Sequence, residues 1–165
     1  MTKVYDDLME AFAGESQANR KYLAFAKKAD TEGFPQVARL FRAAAAAETI
    51  HALTHFKTAG EIRTTEENLK AAIDGENYEN TVMYPGFIKD AEAEGDANAL
   101  RTFTWANEAE KVHEMLYKEA LASLGKPGEE FDYYICPVCG YTHKRNAPEI
   151  CPICGAPGSK FERIS

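Results

Sequence analysis

Apolar residues recur at steps of three, four and seven along most of the chain, then cease to. That period belongs to amphipathic helices, and it falls into four stretches. The first covers residues 3–32, with Leu8, Phe12, Glu15, Tyr22 and Ala26 on one stripe. The second begins at Pro35, a residue suited to a first turn, and its stripe runs Val37, Phe41, Ala44, Glu48, His51 and His55. The third follows Thr64, which fits a capping box with Glu67. Its stripe is Leu69, Ile73 and Glu76, then Glu79 or Asn80, then Met83 and Phe87. The fourth follows Asp96, an N-cap residue type, with Ala99, Phe103, Ala106, Glu110, His113, Tyr117 and Leu124 in line. Gly33, Gly60, Gly95 and Gly125 stand where helices should stop. Trp105 and the four methionines read as core.

Each stripe is apolar except near its middle. Glu15, Glu48, Glu76, Glu79 and Glu110 intrude there, with His51 and His113. Burying unpaired carboxylates is costly, so five of them call for cations. An isolated Glu-x-x-His is usually a surface pair. Here Glu15 and then Glu48-x-x-His51 are echoed by Glu76-x-x-Glu79 and then Glu110-x-x-His113, which predicts two similar helical hairpins around a pseudo-two-fold metal site. The run AAAAAETIH, residues 43–51, adds small side chains that let helices approach beside it. One Glu from each of two helices plus Glu-x-x-His from two others is the donor pattern of ferritin-like di-iron proteins. Carboxylate with imidazole suits iron or manganese, and the lack of thiolate disfavours copper(I). Two ferrous ions fall one charge short of five carboxylates, whereas two ferric ions with a hydroxide balance them. The fifth acid therefore suits a site that changes ligand with redox state. His55, one turn after His51, reads as a neighbour of the ligands rather than a ligand. Tyr22 and Tyr84 lie about two turns after Glu15 and Glu76. They read either as core or as hydroxyls that bond a ligand or a bound oxygen species.

The composition changes after residue 126. Residues 127–131 read as a linker between a helical domain over 1–126 and a second domain over 132–165, rich in Pro, Gly and Cys. Cys136-x-x-Cys139 and Cys151-x-x-Cys154 form two CPxCG knuckles whose glycines permit the turn that aims backbone N–H groups at sulfur. Four thiolates make a tetrahedral site for zinc or iron, and spacing alone does not choose. His143 reads as exposed loop. The formal net charge of −7 argues against nucleic acid and anionic membranes as partners. No apolar run approaches a membrane span of about 20 residues. The start, MTKVYDDLMEAF, lacks a signal peptide's apolar core. A cytoplasmic protein is expected, in whose reducing surroundings cysteines serve as metal ligands rather than disulfides.

The order Tyr134, Cys136, Cys139, Gly140, Tyr141, Cys151, Cys154, Gly155, Lys160, Phe161 is similar to that of a rubredoxin. With the donor pattern before it, nearly the whole chain resembles the rubrerythrin family. The resemblance implies a mainly α fold, a ferritin-like four-helix bundle followed by a small four-cysteine rubredoxin-like domain. It implies a di-iron centre and a mononuclear iron held by the four cysteines. It also implies a non-haem peroxidase that reduces hydrogen peroxide to water in oxidative-stress defence, with electrons entering through the rubredoxin-type iron from a rubredoxin or an NAD(P)H-dependent reductase. By the same resemblance Glu48 and Glu110 are bridging carboxylates, Glu15 a terminal ligand of the first iron, and Glu76 with His113 ligands of the second. Glu79 and His51 exchange on the first iron, and Tyr22 and Tyr84 stand beside the ligands. The competing readings are a ferroxidase or storage protein, a di-iron oxygenase, and a zinc-ribbon interaction module on a structural bundle.

One feature departs from the usual ferritin-like layout, in which a long crossover joins parallel second and third helices. Here about six residues, 60–65, lie between them. They span at most about 20 Å, whereas a 25-residue helix is about 37 Å long. A domain-swapped homodimer is expected, with each di-iron site drawing ligands from two chains and a rubredoxin iron near each.

Overall fold

The computed structural model describes residues 2–165. It is mainly helical and ends in a small sheet. Helices α1 (Lys3–Thr31) and α2 (Pro35–Thr58) form a hairpin. A six-residue connection leads to α3 (Thr65–Tyr78), which passes through a π-turn (Glu79–Met83) into α4 (Tyr84–Glu94), and α5 (Ala97–Ser123) follows. The C-terminal part holds β1 (Tyr133–Ile135), β2 (Thr142–Lys144), a short 3₁₀ turn (Gly158–Lys160) and β3 (Glu162–Ile164). The chain forms two compact units that divide between Arg63 and Thr64.

In the first unit the helix contact is built on alanine. Ala38, Ala45 and Ala52, seven residues apart on α2, are buried, Ala38 completely. Ala26 and Ala29 of α1 are buried with them. Side chains this small let two backbones approach closely. Asn19 Nδ2 exploits that proximity, donating to the Ala45 carbonyl at 2.7 Å. Phe12 stacks on Phe56 at one end, with 4.6 Å between ring centroids. Tyr22, Phe25 and Phe41 form an aromatic cluster. The opposite flank of α2 leaves Leu40, Ile50 and Leu53 exposed.

In the second unit α3 starts with the capping box of Thr64 and Glu67. Asp96 caps α5 by accepting from the N–H groups of Asn98 and Ala99. Gly95 between α4 and α5 has φ 70°, a left-handed conformation costly for residues with a Cβ. The other three glycines expected at helix stops also have positive φ. Tyr84, Phe87 and Phe103 pack together across α4 and α5. The sheet order is β2-β1-β3, antiparallel throughout, with Tyr134 opposite His143 on one side and Arg163 on the other. Strand β2 packs against α5.

Three expectations need correction. The third helical stretch is not one α-helix, because the π-turn divides it after Tyr78. The large stripe residues are less buried than a core reading implies: Val37, Phe87, Tyr117 and Leu124 are exposed, and the buried apolar positions are alanines and two cysteines. Within each unit a hairpin covers only part of a wide apolar face. Met115 is 48% exposed, since two residues beyond His113 it points about 200° around α5. Trp105 is half-buried beneath the guanidinium of Arg101, and Met1 lies outside the described residues. Among the described residues no helix is long and apolar enough to cross a membrane.

Candidate metal centres

Each unit gathers its own set of mid-helix acids and a histidine. In the first, Glu15 from α1 meets Glu48 and His51 from α2, with one donor atom of each within 4.8 Å of the others. His51 Nδ1 lies 2.9 Å from Glu48 Oε2. A hydrogen bond between the two carboxyl groups raises the pKa of Glu15, and it lowers that of Glu48, which His51 lowers further. His51 is itself exposed. His55 lies one turn further and contributes positive potential at Glu15. Tyr22 packs against Phe25 and Phe41.

In the second unit Glu76 of α3 meets Glu110 and His113 of α5, again within 4.8 Å. Burial first, and then the neighbouring Glu110, push the Glu76 carboxyl up to about 7. Its partner Glu110 goes the other way, lowered chiefly by His113. Glu79, the first residue of the π-turn, is half-buried and outside the trio, yet close enough that Glu110 and His113 perturb it. Tyr84 lies where the charges of Glu110, Glu79 and Glu76 reach it, and burial with those charges raises its pKa, so its hydroxyl keeps its proton.

His113 links this cluster to the sheet. Its Nε2 lies 3.2 Å from the Gly140 carbonyl and 3.0 Å from Thr142 Oγ1. The carbonyl only accepts, which assigns a proton to Nε2. The 2.6 Å contact of Nδ1 with Glu110 Oε2 then places a second proton on the ring, and it is this Nδ1 proton that a bound cation would replace. A backbone carbonyl on the far nitrogen is the usual way a protein orients an imidazole ligand. An apolar cavity of about 590 Å³ adjoins His113, lined also by Leu69, Leu116, Tyr117, Tyr133 and Ile135.

The donor chemistry fits bound cations. Metal–oxygen and metal–nitrogen bonds of about 2.0–2.2 Å place two ligand atoms up to about 4.4 Å apart on one ion. Both trios come close to that separation. Side by side, one acid of each pair, Glu15 and Glu76, holds its proton more tightly than usual, and a cation would replace it.

The four cysteines are free thiols brought to one point. Cys136 Sγ lies 3.6 Å from Cys154 Sγ, and Cys139 Sγ 3.5 Å from Cys151 Sγ. A tetrahedral ion with bonds of about 2.3 Å spaces its sulfurs about 3.8 Å apart. Burial disfavours a thiolate at Cys136, but the N–H groups of Val138 and Cys139 aim at its sulfur and more than offset this. Gly140 and Gly155, both at positive φ, make these knuckle turns.

Apart from Glu79, the acids, histidines and cysteines singled out as ligands in the sequence meet in three clusters, but sequence reasoning missed the supports. The Gly140–Thr142 contact to His113 joins residues 27 and 29 apart. A network of Asn77, Asn80 and Glu114 behind α5 was also missed. Its one signal was a third polar stripe of Asn107 and Glu114 at a spacing of seven.

Comparison with known proteins places these features together. The family model "Rubrerythrin" matches residues 6–121, and "Rubrerythrin, rubredoxin-like domain" matches residues 134–162. The chain is 39% identical to nigerythrin of Nitratidesulfovibrio vulgaris, covering 94% of this chain and 84% of that protein. It is 37% identical to rubrerythrin of Porphyromonas gingivalis, covering 98% and 90%. A solved structure of nigerythrin in a fully reduced, all-ferrous state is 37% identical, with a TM-score of 0.60 over 99% of this chain and 88% of that one.

Proposed function

The chain belongs to the rubrerythrin family, and from that premise we propose that it is a non-haem di-iron peroxidase reducing hydrogen peroxide to water in oxidative-stress defence. The observation that carries this reading is the contact between His113 of the carboxylate cluster and Gly140 beside Cys139, which joins a candidate redox site to a candidate one-electron relay. A storage protein or ferroxidase has no use for such a relay, and a zinc-ribbon module leaves five mid-helix acids without a role.

Glu15, Glu48, His51, Glu76, Glu79, Glu110 and His113 would hold the two irons, and Cys136, Cys139, Cys151 and Cys154 the third. Held there, two irons would supply the two-electron reduction of the peroxide O–O bond, and an iron on the four thiolates would supply one-electron relay chemistry. The chain's own contribution is positional. Glu48 and Glu110, the two acids of this set whose pKa is lowered, are suited to bridging, since they shed protons more readily than the acids beside them. His51 is exposed and Glu79 stands outside its trio, which suits two groups that take turns at one ion. Tyr84 keeps its proton beside the acids and can donate it as a hydrogen bond.

The same reading includes a domain-swapped homodimer. Each unit holds three donors of the seven-residue set within reach of one another, and six residues, 59–64, separate α2 from α3. They span about 20 Å against about 36 Å for α2. The exposed apolar flank of α2 is what a second copy's α3–α5 would cover. A rubredoxin or an NAD(P)H-dependent reductase would supply electrons, and the four free thiols suit the reducing cytoplasm.

The test is anaerobic. The iron-loaded protein is reduced and titrated with hydrogen peroxide while the visible spectrum and iron content are followed. Bleaching on reduction and return of ferric–thiolate colour with peroxide, at about three irons per chain, is the expected result. A colourless zinc protein supports the ribbon module instead, and iron reoxidised only by oxygen supports a ferroxidase or oxygenase.

A further inference from the structure

The buried polar side chains of the described residues are Asn80, Asn107 and Glu114. Two of them meet. Glu114 of α5 accepts from Asn80 Nδ2 at 2.8 Å through one carboxylate oxygen. Through the other it accepts from Asn77 Nδ2 at 3.0 Å and Lys118 Nζ at 2.5 Å. Asn80 Nδ2 also donates to the Glu76 carbonyl at 2.8 Å. One carboxylate thus grips both the last turn of α3, through Asn77, and the start of the π-turn, through Asn80.

This carboxylate belongs to neither metal trio. With its residue only 9% exposed, the carboxylate gives up part of its hydration, which its pairing with Lys118 and the two asparagines offsets. What it offers is specificity: two donors on the neighbouring helical run must face it, and this fixes that run's register. The register matters because of the wide turn. Tyr84 N–H donates to the Glu79 carbonyl, five residues back. In an unbroken α-helix those two residues would point about 140° apart. The i→i+5 bond sets them one above the other instead. Glu79 and Tyr84 therefore share a face, and the acids of the second trio reach both.

We infer that Glu114 is a positioning residue: by gripping Asn77 and Asn80 it holds the π-turn Glu79–Met83 in place, and so presents Glu79 and Tyr84 together at the second cluster. The inference rests on the reading of Glu79 as an exchanging ligand. It adds the device that aims this ligand.

The test has two readouts on the full chain. Glu114→Gln keeps the shape but presents a donor where an asparagine N–H needs an acceptor. Asn80→Ala removes the other side of the grip with a strong helix former, and it decides the question should the first variant not fold. Crystal structures of both are expected to show residues 79–83 returned to i→i+4 bonding. Peroxide turnover should fall by about tenfold or more, as for other small misplacements of a reacting group. The second readout is a double-mutant cycle. With Glu79→Ala already present, Glu114→Gln should cost severalfold less than it does in the wild-type chain, the remainder being the misplacement of Tyr84. A π-turn that persists in both variants overturns the inference, and so does an equal loss of turnover with and without Glu79. If the wild-type chain leaves peroxide untouched, the peroxidase reading fails, and the register in the variant structures still decides the role of Glu114.

Discussion

The acids in the two clusters differ although their residue type does not. Glu76 is pushed up to about 7, by burial first and then by Glu110, while Glu110 beside it is lowered, chiefly by His113, so the proton the two acids share sits on Glu76. Without metal, the fold binds the Glu76 proton more tightly than the unfolded chain does. That contribution to stability is complete below about pH 4.5 and is lost as pH rises through about 7. His113, raised mainly by Glu110, adds the same sign. The thermal midpoint of the metal-free protein should therefore fall between about pH 5 and about pH 8 in calorimetry, and ferrous iron added at the upper pH should restore it by replacing the proton. A midpoint that rises over this range contradicts the assignment. Glu79 sits outside its trio, so Glu79→Ala should leave iron bound while slowing peroxide turnover by about tenfold to a hundredfold. Iron analysis beside stopped-flow kinetics checks both halves.

Helix ends were legible because their causes are local. Thr64 with Glu67, Asp96, Pro35 and Gly95 each act within one turn, and each stands where the sequence put it. The π-turn was not legible, because a single extra residue leaves no mark in composition. Its trace was the uncertain step from Glu76 to Glu79 or Asn80, and both residues are used: Glu79 near the trio, Asn80 buried on Glu114. Glu114 follows His113 directly in the chain, and a lone acid beside a ligand-type histidine carries no signal of its own. The alanine seam was legible as an invitation to close packing, and it yields a prediction. Ala45 is buried at the α1–α2 contact and its carbonyl takes the Asn19 bond. Ala45→Leu should destabilise the protein by about 1–3 kcal/mol through overpacking, whereas Leu at exposed Ala46 should change little. Chemical denaturation of the two variants compares them directly.

At the scale of the whole molecule, the proposed exchange of halves makes a prediction that a self-contained chain does not. A chain carrying Glu48→Ala has a damaged first unit, and one carrying Glu110→Ala a damaged second. Refolded alone, each should be inactive. Refolded together, exchange unites the sound first unit of one with the sound second unit of the other, and random pairing restores about a quarter of the sites. Recovery of none, with the mixed dimers shown by mass spectrometry, sinks the exchange.

The His113 ring has one last consequence. Its two nitrogens face two different centres, the acids on one side and the turn after Cys139 on the other. Thermodynamic linkage makes such a contact reciprocal. Whatever free energy the state of the acid cluster imposes on the four-sulfur centre through this ring is returned in equal amount. The two midpoint potentials would stay distinct, but the shift each centre causes in the other would be one shared quantity, read from either end.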